Sequence, residues 1–408
     1  MSIIFHVDVN SAFLSWSALE ELKKGEEVDL REVPSIVGGD QSTRHGVVLA
    51  KSLPARKYGI HTGEPVVNAF RKCPDLQTVA PDHETYRRYS RKLMSFLQEF
   101  ISDLEPVSID ECYLDATEFS EGFETPVEAA AFLKDRVKET FGFTVNVGVS
   151  TNKLLAKMAS DFEKPDKVHT LFPEEIQKKM WKLSVRELFM AGRASTEVLK
   201  KLEISTIGQL AQADPVLLES HLKSHGRRLW EFANGVDTSP LQTERQAAKG
   251  VGNSVTLPED LKTQEELFPV LLSLSRKVGK RLSGAGQKAL ALSVEIKYYN
   301  FETSSHQKPL ETATDDPMVL YKAATGLFLE RWNGKPVRLL GVRSMKLVSG
   351  REPRQMSLFE REVWRSPQRE RLEKDMKKLQ KTYGEQVLAK GFRKTGKRGE
   401  EIYEERNR

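Results

Sequence analysis

Three acidic residues in or beside apolar strand-like segments constrain the fold more than any other feature of the sequence. Asp8 follows the apolar run IIFHV at 3–7, and Asp110 and Glu111 lie within VSIDECYLD at 107–115. Burial of an ionised carboxylate is costly unless the group is paired or bound to a metal. The fold must therefore expose these acids, pair them with Lys or Arg, or gather them around a hard divalent cation, which prefers oxygen ligands.

Position alone leaves that choice open for the acid pair. Neighbouring side chains of a strand face opposite sides of the sheet. Asp110 and Glu111 can therefore share a metal site only if Glu111 lies at a bend or reaches around the sheet edge. The ordinary alternative is that both acids face solvent at a strand end. Two ions held about 3.5–4 Å apart would suit phosphoryl transfer, because they clamp the attacking and the leaving oxygen.

Composition limits the class of protein. A chain of 408 residues indicates about two to four domains. A net charge of +5 is compatible with nucleic-acid binding and does not establish it. Cys73 and Cys112 form no CxxC pair, which disfavours a zinc ribbon or a disulfide scaffold and favours a reducing compartment. The N-terminal segment lacks a signal-peptide pattern and no window is apolar enough to span a membrane, so we expect a cytoplasmic protein.

Hydrophobic periodicity predicts two α+β regions separated by a helical one. In the first region we predict strands at 3–7, 107–115 and 144–149, two strands within 34–52, and helices at 12–24, 84–104, 126–140 and 151–162. The chain from 173 to 240 is predicted to be helical, with a helix–turn–helix at 195–213 whose turn falls at 203–206. In the second α+β region we predict helices at 263–283 and 317–332 and strands at 289–299 and 336–348. A polar linker is predicted at 241–250, and the charged segment after residue 350 has one candidate helix at 368–382.

Four blocks, in this order along the chain, resemble the Y-family (DinB/UmuC type) of translesion DNA polymerases. They are HVDVNSAF at 6–13, SLPARKYGI at 52–60, SIDECYLD at 108–115 and GVSTNKLLAKMASDFEKP at 148–165. The resemblance covers about residues 3–350. It implies template-directed addition of dNTPs to a primer 3′ end, with low fidelity and bypass of DNA damage in repair.

The resemblance also implies an α+β multidomain fold of the right-hand polymerase type. It assigns a palm of mixed sheet and helices to 1–30 and 76–172, small fingers to 31–75 and a helical helix-hairpin-helix thumb to 173–240. After the linker at 241–250, it assigns an α+β little finger to 251–350 and a charged tail to 351–408.

Site residues follow from the same resemblance. Asp8, Asp110 and Glu111 match the catalytic carboxylates that hold two Mg²⁺ ions, and the Val9 carbonyl matches a backbone metal ligand. For the nucleotide, the matching residues are Ser11 and Ala12 (backbone N–H groups at a helix start), Phe13 (steric gate against a ribose 2′-OH), and Arg56 and Lys164 (triphosphate cations). Without the motifs, Phe13 would be a core aromatic residue, and the two cations would be solvated surface groups.

Three departures from the family pattern put details in doubt. Leu53 stands where the family usually has a tyrosine whose hydroxyl contacts a phosphate. Lys51 or Ser52 could compensate, and the sequence does not decide between them. Asn10 replaces the usual second aspartate of the first block, and EIS at 203–205 replaces a Gly-rich hairpin turn.

Two further segments predict macromolecular partners. Primer–template DNA contacts are predicted at a set of cations on one helix and on the strands of the second α+β region, namely Arg276, Lys277, Lys280, Arg281, Lys297, Arg338, Arg343 and Lys346. A generically solvated face is the alternative. QMSLF at 355–359 resembles the bacterial sliding-clamp binding peptide, with Gln355, Ser357, Leu358 and Phe359 as its contacts. We expect the chain to be a monomer.

Two other functions remain open to test. Another palm-type enzyme, such as a nucleotide cyclase, could use the same carboxylates, although the block with Arg56 and the second basic region argue against it. A non-catalytic protein that binds DNA and a clamp is the other candidate. The intact Asp8, Asp110 and Glu111 argue against it, and Leu53 is the one feature in its favour.

Overall fold

The computed structural model describes residues 2–39, 46–244 and 248–350, together with residue 375. One compact unit spans Met1–Leu347, and the second, Val348–Arg408, lies almost wholly outside the described residues. The clamp-binding peptide predicted at 355–359 and nearly all of the helix predicted at 368–382 also lie outside them. Among the described helices, none has the length and apolar character that crossing a bilayer requires.

The described strands and helices follow the predicted alternation. The strands, in chain order, are β1 (Ile4–Val9), β2 (Ser35–Gly38), β3 (Val48–Lys51), β4 (Gln77–Val79), β5 (Leu104–Pro106), β6 (Glu111–Asp115), β7 (Val145–Ser150), β8 (Val168–Thr170), β9 (Gly250–Leu261), β10 (Gln287–Tyr298), β11 (Thr303–Thr314) and β12 (Val337–Ser349). The α-helices are α1 (Ala12–Lys23), α2 (Leu53–Lys57), α3 (Val66–Lys72), α4 (His83–Phe100), α5 (Thr117–Ser120), α6 (Pro126–Phe141), α7 (Lys153–Ser160), α8 (Arg193–Lys201), α9 (Ile207–Gln212), α10 (Pro215–Leu222), α11 (Ser224–Ala233), α12 (Gln264–Gly284) and α13 (Pro317–Arg331).

A five-stranded sheet forms the centre of the first α+β region, in the order β5-β6-β1-β7-β8. β1 lies in the middle, antiparallel to both β6 and β7. Its alternate side chains divide between two environments. Phe5, Val7 and Val9 enter the main apolar core, whereas Ile4 joins a small cluster with Ala156 of α7. His6 and Asp8 share the face of Ile4, so the polar residues of this buried strand point toward the α7 side.

The strand predicted at 107–115 is wrong over its first half. β6 begins only at Glu111, and residues 107–110 form the turn that joins β5 to β6. The backbone N–H groups of Val107 and Ser108 both donate to the Glu111 carbonyl, at 3.0 and 3.2 Å. The Ser108 hydroxyl accepts from the N–H groups of Asp110 (3.2 Å) and Glu111 (3.1 Å). A serine that satisfies the backbone in this way favours a turn over a strand.

The amphipathic helix α4 covers the first sheet. Its start is set by Asp82, whose carboxylate accepts from the N–H groups of Glu84 and Thr85 at 3.0 and 3.1 Å. The side chains that recur at helical spacing, Tyr86, Tyr89, Leu93 and Leu97, are buried. The helix ends at Phe100, four residues before the predicted end, because Ile101 is extended and Leu104 already belongs to β5.

A small three-stranded sheet, β3-β2-β4, carries the next set of site residues. β2 and β3 confirm the two strands predicted within 34–52, whereas the short β4 was not predicted. The region has its own core, which includes Ile36, Val48, Ile60 and Val66. Helix α2 follows β3 directly and is capped by Ser52.

The helical region contains α8 to α11 and confirms the helix–turn–helix at 195–213. Its turn contains Glu203 at φ 63°, a left-handed backbone conformation that ordinarily favours glycine. The turn keeps its place because Thr206 caps α9 and Ile204, Ile207 and Leu210 enter the local core. The EIS sequence therefore still forms a hairpin between helices.

The second α+β region has a four-stranded sheet in the order β11-β10-β12-β9, with α12 and α13 packed on one face. β9 and β11 were not predicted, and β9 begins at Gly250, inside the segment predicted as a linker. The sequence of β11, TSSHQKPLETAT, contains little apolar character because most of its side chains are exposed or half-buried. The helices α12 and α13 match the predicted ones to within about two residues.

Candidate active site

A cavity of about 720 Å³ opens where β1, α1, the three-stranded sheet and the segment after α7 meet. Most of the residues predicted for the metal and nucleotide sites line it together. They are Asp8, Val9, Ser11, Ala12, Phe13, Arg56, Asp110 and Lys164, with Lys51, Ser52 and Leu53 beside them. Glu111 lies next to this cavity, because it pairs directly with Asp8 across the sheet.

The turn at 107–110 resolves the difficulty with the acid pair. Glu111 is the first residue of β6 and lies opposite Asp8 of β1. Asp110 precedes the strand, and its carbonyl accepts a 3.1 Å hydrogen bond from the Val9 N–H. Because Asp110 lies in the turn and only Glu111 lies in the strand, the two side chains are not forced to point to opposite faces of the sheet. Burial raises the pKa of the Asp110 carboxyl, and the nearby Asp8 and Glu111 charges raise it further.

The buried His6 side chain contacts the carboxylate of Glu111. The imidazole is fully buried, with Nε2 3.1 Å from Glu111 Oε2 and Nδ1 2.8 Å from Ser160 Oγ. Burial lowers the pKa of His6, and its two ring nitrogens are both engaged, one by the Glu111 carboxylate and the other by a Ser160 hydroxyl that itself donates to the Lys157 carbonyl at 2.8 Å. The hydrogen bond from His6, followed by contact with Lys157, lowers the pKa of Glu111 to about 2.

His6 is therefore a positioning group and not a metal ligand. Ligand atoms of His6, Asp8 and Glu111 lie within 4.8 Å of one another, which would by itself admit a metal site. Both ring nitrogens are already committed within the protein, however. Carboxylate oxygens are also the ligands that hard divalent cations prefer. The candidate ligands at this site are accordingly the acids.

Two lysines bridge these acids. Lys157 Nζ lies 3.3 Å from Asp8, 2.9 Å from Glu111 and 3.2 Å from Asp161. Lys164 Nζ lies 2.9 Å from Asp8 and 2.8 Å from Asp161. Although burial opposes the charged form, attraction to Asp8 and Asp161 raises the pKa of both lysines. Both ammonium groups are thus held in their charged form beside the acids.

Sequence reasoning missed Lys157 and Asp161. The available signal was their spacing of four residues in the block LLAKMASD, which places them on one side of α7. Their role depends on the packing of α7 against β1, which that spacing does not reveal.

Asn10 connects β1 to the segment that carries Lys164. Its amide donates to Asn146 Oδ1 at 3.1 Å, and its carbonyl oxygen accepts from Thr144 Oγ1 and the Asp166 N–H, both at 2.9 Å. Asn146 in turn donates to the Glu163 carbonyl at 2.7 Å. An asparagine can donate and accept in this network, whereas an ionised aspartate at position 10 could only accept.

The start of α1 faces the cavity. Ser11 adopts a left-handed conformation (φ 47°), and no side chain caps the helix. Phe13 is half-buried and stacks on the fully buried Tyr86, with ring centroids 4.3 Å apart and planes at 8°. Uncapped N–H groups at a helix start suit an anion. Phe13 is both part of the core wall and a lining residue of the cavity.

The residues around Leu53 differ in their freedom to contact a ligand. The Ser52 hydroxyl is buried, donates to the Val33 carbonyl and accepts from the N–H groups of Ser35 and Ala55. Leu53 lines the cavity and is 48% exposed. Ser52 is therefore committed to the fold and cannot replace the missing tyrosine hydroxyl.

The cations predicted to contact DNA lie on different surfaces of the second α+β region. Arg276, Lys277 and Lys280 are exposed on α12, on the side away from the sheet, while Arg281 donates to the Gly252 carbonyl at 2.7 Å. Lys297 and Arg343 belong to the sheet face that the helices leave uncovered, opposite to that of Val294 and Val342.

The two remaining strand cations differ from each other. Arg338 pairs with Asp260 at 3.3 Å and lies over the Phe301 ring, whereas Lys346 is exposed. A duplex that lies against one face of this region therefore cannot contact the whole predicted set.

Comparison with known proteins gives one consistent result. The impB/mucB/samB family matches residues 7–161, and the C-terminal domain of that family matches residues 248–358. The DNA polymerase IV of Clostridium acetobutylicum is 46% identical over 386 residues, which cover 95% of this chain and 96% of the relative. DNA polymerase IV 1 of Bacillus subtilis is 35% identical over 391 residues, which cover 95% of this chain and 92% of the relative. A solved Y-family DNA polymerase chimera of Dbh and Dpo4 has a TM-score of 0.75 at 25% identity, covering 85% of this chain and 99% of the chimera.

Proposed function

The chain belongs to the DinB type of the Y-family of DNA polymerases, and we propose that it extends a primer opposite damaged template bases by two-metal phosphoryl transfer. Membership of this family makes it a translesion DNA-directed DNA polymerase that binds DNA and nucleotides and depends on a divalent metal. One observation carries the detailed proposal. Asp8, Asp110, Phe13, Arg56 and Lys164 all line the same cavity.

The charge of the acidic cluster, defined as Asp8, Asp110, Glu111 and Asp161, fits divalent cations. Lys157 and Lys164 supply two positive charges against these four carboxylates. Among the described residues no cation pairs with Asp110, whose carboxylate instead accepts a 2.5 Å hydrogen bond from the Ser108 hydroxyl. An excess of two negative charges therefore remains in a partly buried place. A cation with oxygen ligands would remove this excess.

Asp8, Asp110 and Glu111 would hold the metal, with the Val9 carbonyl as a further ligand, and we assign two Mg²⁺ ions. When bound, the ions would neutralise phosphate charge and lower the pKa of the primer 3′-OH. His6 and Lys157 keep Glu111 ionised and in place. The protein's contribution is then largely positioning and charge neutralisation.

The remaining residues bind the incoming nucleotide. Arg56, Lys164 and the N–H groups of Ser11 and Ala12 line the cavity beside the acids, where they would bind the triphosphate. Once the primer 3′-OH has lost its proton to solvent, its oxygen forms a bond to the α-phosphorus while the bond from that phosphorus to the bridging oxygen of the β-phosphate breaks. Pyrophosphate leaves with the bonding electrons, and Arg56 and Lys164 would stabilise its negative charge.

The polymerase domains are assigned to the observed regions as follows. The five-stranded sheet and its helices form the palm (1–30 and 76–172), and β2, β3, α2 and α3 form the fingers (31–75). The third strand of the small sheet, β4, comes from residues just after the predicted boundary at 75. The helices α8 to α11 form the thumb (173–240), and the four-stranded region forms the little finger (251–350). We propose that those little-finger cations that share one face of the region bind the DNA backbone, a contact that does not depend on base sequence.

Extension of a primed template with Mg²⁺ and dNTPs tests the function directly. We expect extension on undamaged DNA with frequent misinsertion, and insertion opposite lesions in a panel of single-nucleotide assays. Formation of a cyclic nucleotide without extension would instead favour the cyclase alternative. Binding of primed DNA without any turnover would favour the non-catalytic one.

Replacement of Phe13 by alanine should weaken discrimination against ribonucleotides by about 100-fold. The ring is held rigidly against Tyr86, so a ribose 2′-OH placed above it would clash. The measurement is kcat/KM for dATP and for ATP opposite template T. The same ratio should be unchanged in Phe132→Ala, because Phe132 is a partly exposed phenylalanine of α6 outside the cavity. Equal discrimination by both variants would contradict the steric-gate role of Phe13.

The tail peptide at 355–359 is proposed to bind the sliding clamp. An apolar Leu-Phe pair would fill a groove, and Gln355 would set the register. The double variant Leu358→Ala with Phe359→Ala should lose clamp-stimulated synthesis and retain distributive synthesis by the monomer. The matched control is Val363→Ala with Trp364→Ala, which removes two apolar side chains farther along the same tail. Clamp stimulation that survives in the first variant would refute the assignment.

A further inference from the structure

Lys51 is a half-buried cation at the fingers side of the cavity. It is the last residue of β3 and lines the cavity together with Arg56. Across the residues that the structure describes, its ammonium has neither an ion pair nor a hydrogen bond. Burial lowers the pKa of Lys51, and the neighbouring Arg56 charge lowers it further. A charge in this situation is stabilised when an anion arrives.

Within the described part of the chain, the acid that acts on Lys51 is already paired with other groups. This acid, Glu64, accepts from Lys72 Nζ at 2.6 Å and from the His61 N–H at 2.7 Å. Lys51, Arg56 and Lys72 together outnumber this single acid. Positive charge is therefore in excess at this end of the cavity, whereas negative charge is in excess at the opposite end, around Asp8.

Other neighbours of Lys51 offer little to an anion. The Ser52 hydroxyl is fully used in capping α2 and in joining β2 to this helix. Leu53 presents an apolar side chain to the cavity. Lys51 and Arg56 are thus the groups on this segment that can neutralise an anionic ligand. The positive charges of Lys51 and Arg56 would then determine how tightly the ligand binds, in place of a hydrogen bond from a tyrosine hydroxyl.

We propose that Lys51 binds the triphosphate of the incoming dNTP beside Arg56, and so supplies the phosphate contact that Leu53 cannot make. This assignment rests on the proposed function of the cavity as the dNTP site. It predicts that the phosphate end of the nucleotide lies against the end of β3 and the start of α2, while its sugar lies toward Phe13.

The test measures triphosphate binding with and without catalysis. Lys51→Gln keeps most of the side chain and removes the charge, and Lys51→Arg keeps the charge. Lys57→Ala is the matched control, because Lys57 is an exposed lysine of α2 that does not line the cavity. Two quantities are compared: the dNTP KM in primer extension at saturating DNA, and the Kd of inorganic tripolyphosphate with Mg²⁺, measured by calorimetry on the full chain without DNA.

Lys51→Gln should raise both values by about tenfold, since a lost charge-assisted hydrogen bond contributes about that factor. Lys51→Arg and Lys57→Ala should stay within about twofold of wild type. Unchanged tripolyphosphate binding in Lys51→Gln, or an equal loss in Lys51→Arg, would overturn the proposal. Failure of the proposed function would give a different result. A chain that binds tripolyphosphate through Lys51 but extends no primer would refute polymerase activity and leave the role of Lys51 in binding intact.

Discussion

Replacing Asp110 by asparagine should lower primer extension at least about a thousand-fold while the fold is retained. Asparagine has nearly the same shape, and its side-chain oxygen can still accept the hydrogen bond from Ser108. The substitution removes one of the two negative charges that the lysines leave unmatched in the acidic cluster. Metal affinity should therefore fall together with activity, and binding of Mn²⁺ measured by calorimetry or electron paramagnetic resonance provides a readout that does not require turnover.

The matched control is Asp103→Asn. Asp103 is an exposed acid at the open end of the same β5–β6 hairpin, directly before β5. Its backbone carbonyl accepts from the Asp115 N–H. This variant should extend primers and bind Mn²⁺ like the wild type. Asp110→Asn with near-normal extension would defeat the catalytic assignment. Lost extension with unchanged Mn²⁺ binding would separate Asp110 from the metal site.

Replacing Gly148 by alanine should destabilise the palm by about 3 kcal/mol or more. Gly148 lies on β7 directly against α7, and an added Cβ would lie 1.9 Å from the Ala156 carbonyl oxygen and 2.5 Å from the Ser160 nitrogen. Both are backbone atoms, so the helix itself would have to move. Such a movement would break the contacts of Ser160 with His6 and would draw Lys157 away from Asp8 and Glu111.

Hydrogen exchange of peptides that cover β7 and α7 measures this effect locally. Gly122→Ala is the control within the palm, because its added Cβ would meet only the Phe119 carbonyl oxygen at an ordinary 3.7 Å. Protection in Gly122→Ala should resemble that of the wild type. If Gly148→Ala keeps equal protection in these peptides, the close approach of α7 is not a determinant of stability.

The long elements were predictable because local and tertiary preferences agree in them. In α4, the cap at Asp82 and the apolar spacing from Tyr86 to Leu97 both indicate the same helix. In α12, Thr263 and Glu266 form a capping box and Leu267, Leu271 and Leu274 follow at helical spacing. Where several preferences point to one structure, the residue pattern is sufficient.

The errors arose where side chains and tertiary partners decide the backbone. Val107 and Ile109 alternate with polar residues as in a strand, yet the Ser108 hydroxyl converts this segment into a turn. β11 was missed because a strand with so few buried side chains lacks an apolar period.

The candidate site divides in the same way. The motifs identified Asp8, Asp110 and Glu111, which the structure brings together. The lysine bridge through Lys157 depends on Asp8 and Glu111, which are distant along the chain, so no local pattern could reveal it. The sequence offered Lys51 and Ser52 as alternatives beside Leu53, and only the hydrogen bonds that commit the Ser52 hydroxyl to the fold separate the two.

The turn at 107–110 also has an evolutionary consequence. The position of the Asp110 carboxylate depends on the number of residues between Pro106 and Glu111. The Asp110 carbonyl is hydrogen-bonded to β1, whereas β5 and β6 on the two sides of the turn pair with each other independently of that bond. An insertion or deletion there would cost the sheet little, because loops tolerate changes of length. It would nevertheless carry one acid away from its partners. In a lineage that had abandoned catalysis, the same sheet could persist with every strand intact, and the length of this turn would record the loss.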